Sequence, residues 1–191
     1  MEKIIDMPLG FDLSKYKTDE FIETGTLHGA GCIKAVRAGF KRIQSIEILE
    51  SNFFLSKKRL SKHLRGATAV PEIELHFGDS SEILPKILKS IDWRCTFWLD
   101  GHGGYKGTGV GKKNCPLMEE LDAIADHHIR DHIILIDDMR IIRKTAWNTK
   151  GVTENSVLEK LVEINPLYNI TYEDNNLKWG LFENDCLVAS C

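Results

Sequence analysis

Five short apolar segments, each followed by a stretch with helical spacing, constrain this chain more than any other feature. They are Phe21–Glu23, Arg42–Ile48, Glu72–Phe77, Cys95–Leu99 and His132–Ile136. The helical stretches that follow them are Gly29–Gly39, Ser51–Leu64 (with Phe54, Leu55, Lys58 and Leu60 at mixed helical spacing), and one capped by Ser80 or Ser81 that runs through Ile83, Leu84, Ile87 and Leu88. A fourth starts at Pro116, with Leu117, Leu121, Ile124 and Ala125 on its buried face, and a fifth runs from Thr153 to Ile164 after a loop. Alternation of this kind predicts a parallel sheet with helices on both faces. Arg42–Ile48 alternates and is β-branched, whereas CTFWL and HIILI are apolar throughout, as central strands covered on both faces are. The tail departs from the pattern. Tyr168–Glu173, Lys178–Glu183 and Cys186–Ala189 read as strands joined by Asn175-Asn176 and Asn184-Asp185, which is hairpin-turn chemistry. Residues 1–20, with Pro8 and Gly10, read as a lead-in holding one helical turn. Five β–α units and a closing antiparallel hairpin are therefore expected: an α/β, doubly wound, mostly parallel sheet.

The 191 residues suit a single domain over 1–191 with a full core. A net charge of −3 gives no case for a general nucleic-acid or membrane binder, and leaves room only for a local basic patch. No apolar run approaches the ~20 residues that span a bilayer. Met1–Asp6 lacks a basic segment followed by an apolar one, so no signal peptide is expected and a cytoplasmic protein is. The five cysteines, Cys32, Cys95, Cys115, Cys186 and Cys191, are odd in number and form no C-x-x-C pair. That argues against a disulfide framework or a zinc knuckle and for a reducing compartment.

Phe21-Ile22-Glu23-Thr24-Gly25-Thr26-Leu27-His28-Gly29-Ala30-Gly31 is strand, glycine turn and helix start in one stretch. Such a turn offers backbone N–H groups and a helix N-terminus to a ligand beyond the strand ends. The residues at those ends are acidic throughout: Glu23, Glu47 (with Glu50 three on), Asp79, Asp100 and Asp137-Asp138. Singly, each has a plain explanation. Glu47 and Glu50 suit a helix N-terminus, and Asp79 suits a helix N-cap. Together they describe a ligand with a cationic amino-acid end at Glu23, a ribose whose hydroxyls Glu47 accepts, and an adenine edge at Asp79 with Ser80 behind it. S-adenosylmethionine fits this better than a dinucleotide, whose Gly-x-Gly-x-x-Gly turn Thr24–Gly31 does not supply.

On these residues the chain resembles class I (Rossmann-like) S-adenosylmethionine-dependent methyltransferases from about Glu20 to Ala189. The family's acidic residue and Gly-x-x-x-Gly stand here as Glu23 and Gly25–Gly29, with Leu27 where the common form has another glycine. Phe-Ile-Glu-Thr-Gly-Thr, Trp98-Leu99-Asp100-Gly101-His102 and Ile136-Asp137-Asp138 resemble a subgroup of small methyltransferase-like proteins. The resemblance implies a seven-stranded sheet of order 3-2-1-4-5-7-6. It implies cofactor contacts from Glu23, Thr24, Gly25, Thr26, Gly29, Glu47 (Glu50 in reserve), Asp79, Ser80 and Asp100.

Asp100, Asp137 and Asp138 end neighbouring strands, and three clustered carboxylates repel unless a positive charge sits among them. A hard divalent cation such as Mg²⁺, which takes oxygen ligands, is the economical answer. The pattern resembles the metal-dependent O-methyltransferases of catechol and macrolide-sugar type. With His102 as candidate base and Asp100 beside it as catalytic residues, the expected reaction is O-methylation of a hydroxylated small molecule or sugar. The rival expectation is a catalytically silent module that binds the same ligand. For His102 a loop histidine bonded to backbone is the plain alternative; for the three aspartates it is helix capping. The loop from Gly103 to Lys113, with five glycines and Lys106, Lys112 and Lys113, suggests a mobile lid. His128 and His132 are not expected to pair on a metal. Arg140, Arg143 and Lys144 read as a solvated basic turn, and Trp147 and Trp179 as packing residues.

Overall fold

The computed structural model describes residues 10–66, 70–103, 107–144, 151–177 and 180–191. Lys106, Trp147, Lys178 and Trp179, and the opening Met1–Asp6 with Pro8, lie outside them. Seven strands form one sheet of order β3-β2-β1-β4-β5-β7-β6. In chain order they are β1 (Glu20–Thr24), β2 (Arg42–Glu47), β3 (Glu72–Phe77), β4 (Cys95–Leu99), β5 (Ile133–Ile136), β6 (Asn169–Leu177) and β7 (Gly180–Ser190). The first five run parallel, and β7 is antiparallel to both β5 and β6. The helices are α1 (Ala30–Ala38), α2 (Glu50–His63), α3 (Ser80–Leu88), α4 (Leu117–Ala125), α5 (Met139–Ile142) and α6 (Glu154–Ile164), after a 3-10 turn at Leu13–Tyr16. The expected architecture and strand order are those observed.

Burial explains the layering. Every residue of β1, β4 and β5 is buried, and side chains alternate between two cores. Phe21, Trp98 and Leu135 face one core with Ile33 of α1 and Leu60 of α2. Ile22, Phe97 and Ile134 face the other with Leu84 of α3, Leu121 of α4 and Leu161 of α6. Truncating a fully buried leucine such as Leu121 to alanine removes about 2–5 kcal/mol. The edge strand β3 is half exposed and carries Glu72 and Glu74, charges that discourage edge-to-edge pairing. Helix ends follow their caps. Gly39 closes α1 in the left-handed region (φ 84), and Thr153 opens α6 with a capping box shared with Ser156.

Three local expectations need correction. Asp79, not a serine, caps α3, accepting from the Ser81 N–H. The segment after Asp138 forms α5 instead of running straight into a loop. The Asn/Asp pairs do not turn the hairpin. β6 and β7 run on to the Leu177–Gly180 pairing, with Asn175 and Asn176 inside β6. Asn184-Asp185 lies in a register shift, where Glu173 pairs with Cys186 but Asn175 with Phe182. Asn184 takes φ 52 there and its N–H donates to Asp174 Oδ1 (2.8 Å). Tolerance of the left-handed region suits a bulge as well as a turn, and here it serves the bulge.

Candidate active site

The sheet brings the carboxyl ends of β1, β2, β4 and β5 to one side, and the turn after β1 is wired into all its neighbours. Gly25 and Thr26 donate to the Ile46 carbonyl (3.0 and 3.1 Å), and Asp100 N–H donates to Thr24 O and Oγ1 (both 3.2 Å). Gly25 has φ 85, and a Cβ there would stand 2.8 Å from the Asp100 carbonyl carbon, so no larger residue fits. Leu27, at the position where the family pattern carries glycine, adopts φ 48. Its N–H donates to Glu47 Oε2 (2.6 Å), while Glu47 Oε1 accepts from Leu49 N–H (2.8 Å). One buried carboxylate thus fixes the glycine turn and the start of α2 together.

Glu23 is buried at the floor. Its Oε2 accepts from Ser45 Oγ (2.6 Å) and Cys32 Sγ (3.2 Å), and Thr26 Oγ1 lies 2.6 Å from the same serine oxygen. Burial pushes its pKa up to about 7, against the pull of those two donors. Gly31 faces the other oxygen: a Cβ on Gly31 would overlap Oε1 and lie 2.8 Å from Cδ.

Two adjoining chambers share Gly25, Leu27 and Asp100. The outer one reaches Glu47, Asp79, Ser80, Asp100 and His102; the inner one reaches Glu23, Thr26, His28, Trp98, Asp100 and Asp137. Thr24 and Gly29 line neither; they shape the turn. The glycine-rich loop roofs the outer chamber. Asn52 Nδ2 donates to Gly107 O (3.0 Å), Lys112 N–H donates to Asp79 Oδ2 (3.0 Å), and Gly103 N–H donates to Asn114 O (2.7 Å). A Cβ on Gly109 would run into Ile48, and one on Gly111 into the Asp79 carboxylate. Asp79 Oδ1 is occupied by Ser81 N–H and Oγ (3.0 and 2.7 Å), which with Lys112 lowers its pKa despite burial.

Across the sheet ends, His102 joins two of the three expected acids. Its Nε2 is 3.5 Å from both Asp100 Oδ1 and Asp138 Oδ2, and the imidazole is 6% exposed. Burial lowers its pKa while Asp138 opposes, so near neutrality it is uncharged and can accept a proton. Asp137 stands behind, its Oδ1 accepting from Asp138 N–H (2.7 Å) and Asn175 Nδ2 (3.1 Å). Burial holds Asp100 and Asp137 well above the usual carboxylate range, with repulsion from Asp137 and Asp138 adding at Asp100 and from Asp138 and Asp185 at Asp137. Among the described residues, Asp100, His102 and Asp138 converge as one metal-capable triad and Asp137, Asp138 and Asp185 as another.

The Arg140 guanidinium lies between Asp138 (2.5 Å) and Asp185 and over the Phe182 ring; Arg143 grips Glu154 (2.8 Å). Two members of the expected solvated basic turn, Arg140 and Arg143, are therefore ion-paired, and Lys144 is exposed as expected. His128 does not join His132; buried His127 does, at 2.9 Å.

Two residues of this region were missed. Asp185 is fully buried beside α5, placed by the bulge. Glu120 is 1% exposed on α4 next to Gly101 and Thr24, and its Oε1 has no hydrogen-bond partner among the described residues. Burial raises its pKa to about 7, offset by Ser80 and Thr24. A signal existed, since Glu120 falls on the apolar stripe Leu117–Leu121–Ile124.

No protein-family model and no curated sequence matches the chain. Solved structures do. The O-methyltransferase TomG from Streptomyces achromogenes, solved with SAM, aligns at TM-score 0.60 and 15% identity, over 93% of this chain and 75% of that one. An O-methyltransferase from Bacillus cereus in complex with SAH aligns at 0.60 and 14%, over 94% and 77%. Spermidine synthase from Thermotoga maritima aligns at 0.56 and 12%, over 94% and 55%. The chain therefore has the fold of class I S-adenosylmethionine-dependent methyltransferases. That fold also serves a synthase, so the reaction has to be argued from the site.

Proposed function

We propose that this chain is an S-adenosylmethionine-dependent methyltransferase that methylates a hydroxyl of a small molecule or sugar. The observation that carries the reading is the pair of adjoining chambers: a buried acid under one, acids at successive strand ends around the other, and in that second chamber a histidine between carboxylates, next to the shared Asp100. S-adenosylmethionine, when bound, supplies a methyl group activated by a sulfonium. Glu23 and the turn through Gly25 and Thr26 suit its cationic end. Glu47 retains lone pairs for ribose hydroxyls, and Asp79 with Ser80 suits the adenine edge. His102 takes the proton from the acceptor hydroxyl, held in place by Asp100 and Asp138.

Asp100, His102 and Asp138, with Asp137 behind, have the donor set for a divalent cation that would polarise acceptor oxygens; the imidazole nitrogen admits softer ions as well as Mg²⁺. A metal-free version has its own support, because Arg140 already places a positive charge on Asp138. The free cysteines among the described residues suit the cytoplasm, and no described helix is long and apolar enough to cross a membrane.

Isothermal titration with S-adenosylhomocysteine, paired with a labelled-methyl transfer screen over hydroxylated acceptors, tests the proposal. Binding with turnover is expected. His102→Ala should keep the binding and lose about 10²–10⁴-fold in rate. Binding without turnover on any acceptor leaves the silent-module reading, and activity indifferent to EDTA removes the cation.

A further inference from the structure

β6 carries a buried asparagine where a strand has little use for one. Asparagine is depleted in strands, and a buried amide costs free energy unless its two ends find partners. Asn175 is 2% exposed, and both ends have them. Its Oδ1 accepts from the Gly10 N–H (2.7 Å), and its Nδ2 donates to Asp137 Oδ1 (3.1 Å). The neighbours permit one orientation of the amide. Gly10 N–H can only donate, and Asp137 Oδ1 already accepts from Asp138 N–H, so it presents lone pairs to whatever faces it.

The chain around Gly10 is held to the same stretch of β6. A Cβ on Gly10 would run into the Asn176 main chain and lie 2.6 Å from Asn175 Oδ1, so the crossing requires glycine. Lys15 Nζ and Tyr16 Oη both donate to Glu173 Oε1 (2.9 and 2.6 Å). Glu173 and Asn175 flank the register shift of β6 against β7, so residues 10–16 dock on the bulge. Phe11 packs on Trp98, with ring centroids 5.8 Å apart. Trp98 and Asp137 both line the inner chamber, so this one segment reaches two of its walls, one through Phe11 and one through Asn175. We propose that Asn175 is a positioning residue: it sets the Asp137 carboxylate and ties that setting to the docking of residues 10–16. A role in turnover rests on the methyltransferase reading above; the mechanical link between Gly10 and Asp137 does not.

Two experiments test it. Asn175→Leu keeps the shape of the side chain and removes the amide. It should fold by circular dichroism, keep S-adenosylhomocysteine affinity within about twofold, and lower kcat about 10- to 100-fold, the range of one hydrogen bond to a carboxylate. A structural role alone would lower the unfolding midpoint and leave kcat in place. The second experiment needs neither cofactor nor turnover. Linkage is reciprocal, so removing the acid must release the segment. Amide exchange of the full chain, followed residue by residue by NMR, should speed up at Gly10 about tenfold or more in Asp137→Ala. Asp100→Ala, which removes another acid of the same site, should leave Gly10 unchanged, since Asn175 spends Nδ2 on Asp137 and Oδ1 on Gly10. The inference is overturned by equal Gly10 exchange in wild type and Asp137→Ala, by an acceleration of the same size in Asp100→Ala, or by a folded Asn175→Leu with wild-type kcat. Absence of turnover in the wild type removes the methyl-transfer reading alone; in that case, or if Asn175→Leu fails to fold, the exchange rates decide the link.

Discussion

Gly31→Ala is the substitution whose outcome the site fixes most tightly. On helix propensity alone it should help, by at most about 1 kcal/mol, because glycine is a poor residue within a helix and Gly31 is the second residue of α1. The geometry reverses the sign. The new methyl group overlaps Glu23 Oε1 and lies 2.8 Å from Cδ. Glu23 cannot swing away freely, since it sits 2% exposed in β1 with Oε2 held by Ser45 and Cys32. Losing the Ser45 bond to a carboxylate is worth about 1.5–3 kcal/mol, and the thiol bond adds less. The net expectation is a loss of about 1–3 kcal/mol, read from denaturant midpoints at unchanged m-value. A cycle with Glu23→Ala isolates the cause. With the carboxylate gone, Gly31→Ala should become neutral or stabilising, giving a coupling of about 2 kcal/mol or more. Gly31→Ala at or above wild-type stability, or the same loss in both backgrounds, would refute the reasoning.

Leu27→Gly should raise stability by up to about 1 kcal/mol, because the left-handed region at φ 48 costs a branched side chain about that much; thermal unfolding checks it, and a drop of similar size would mean the leucine packing outweighs the strain. Glu120→Gln should alter the pH dependence of folding. The folded state raises the Glu120 pKa from 4.5 to about 7, so its neutral form contributes below the unfolded value and that contribution is lost as pH rises through about 7. The variant should therefore gain on wild type between pH 5 and pH 8 by up to about 3 kcal/mol, and urea midpoints that shift in parallel would sink the idea.

What could be read in advance follows periodicity. Strands β1 to β5 and the five longer helices announce themselves because each buries a face that must be apolar at period 2 or 3.6. The acids at the strand ends were legible for the same reason, since strand boundaries fix which residue comes next. Glu47 and Asp79 show the limit: their positions were foreseen, but their backbone partners Leu27, Leu49 and Lys112 depend on loops whose paths no period encodes. Asp185 shows another. Asn184-Asp185 has the chemistry of a left-handed residue, and only the register of β6 against β7 decides between a turn and a bulge. Glu120 lay inside a pattern that was read for its leucines.

The roof over the outer chamber is tied down through main-chain atoms: Gly107 O to Asn52 and Lys112 N–H to Asp79. Its fit against Ile48 and Asp79 depends on the missing side chains of Gly109 and Gly111. Mutational tolerance along these few residues should therefore be sharply uneven. The Lys112 side chain reaches outward to Glu82 and can drift freely, whereas Lys113, paired with Glu119, lines the chamber. The two glycines carry almost all the heritable information in the roof, so a homologue that keeps them can rewrite its charges without redrawing the chamber.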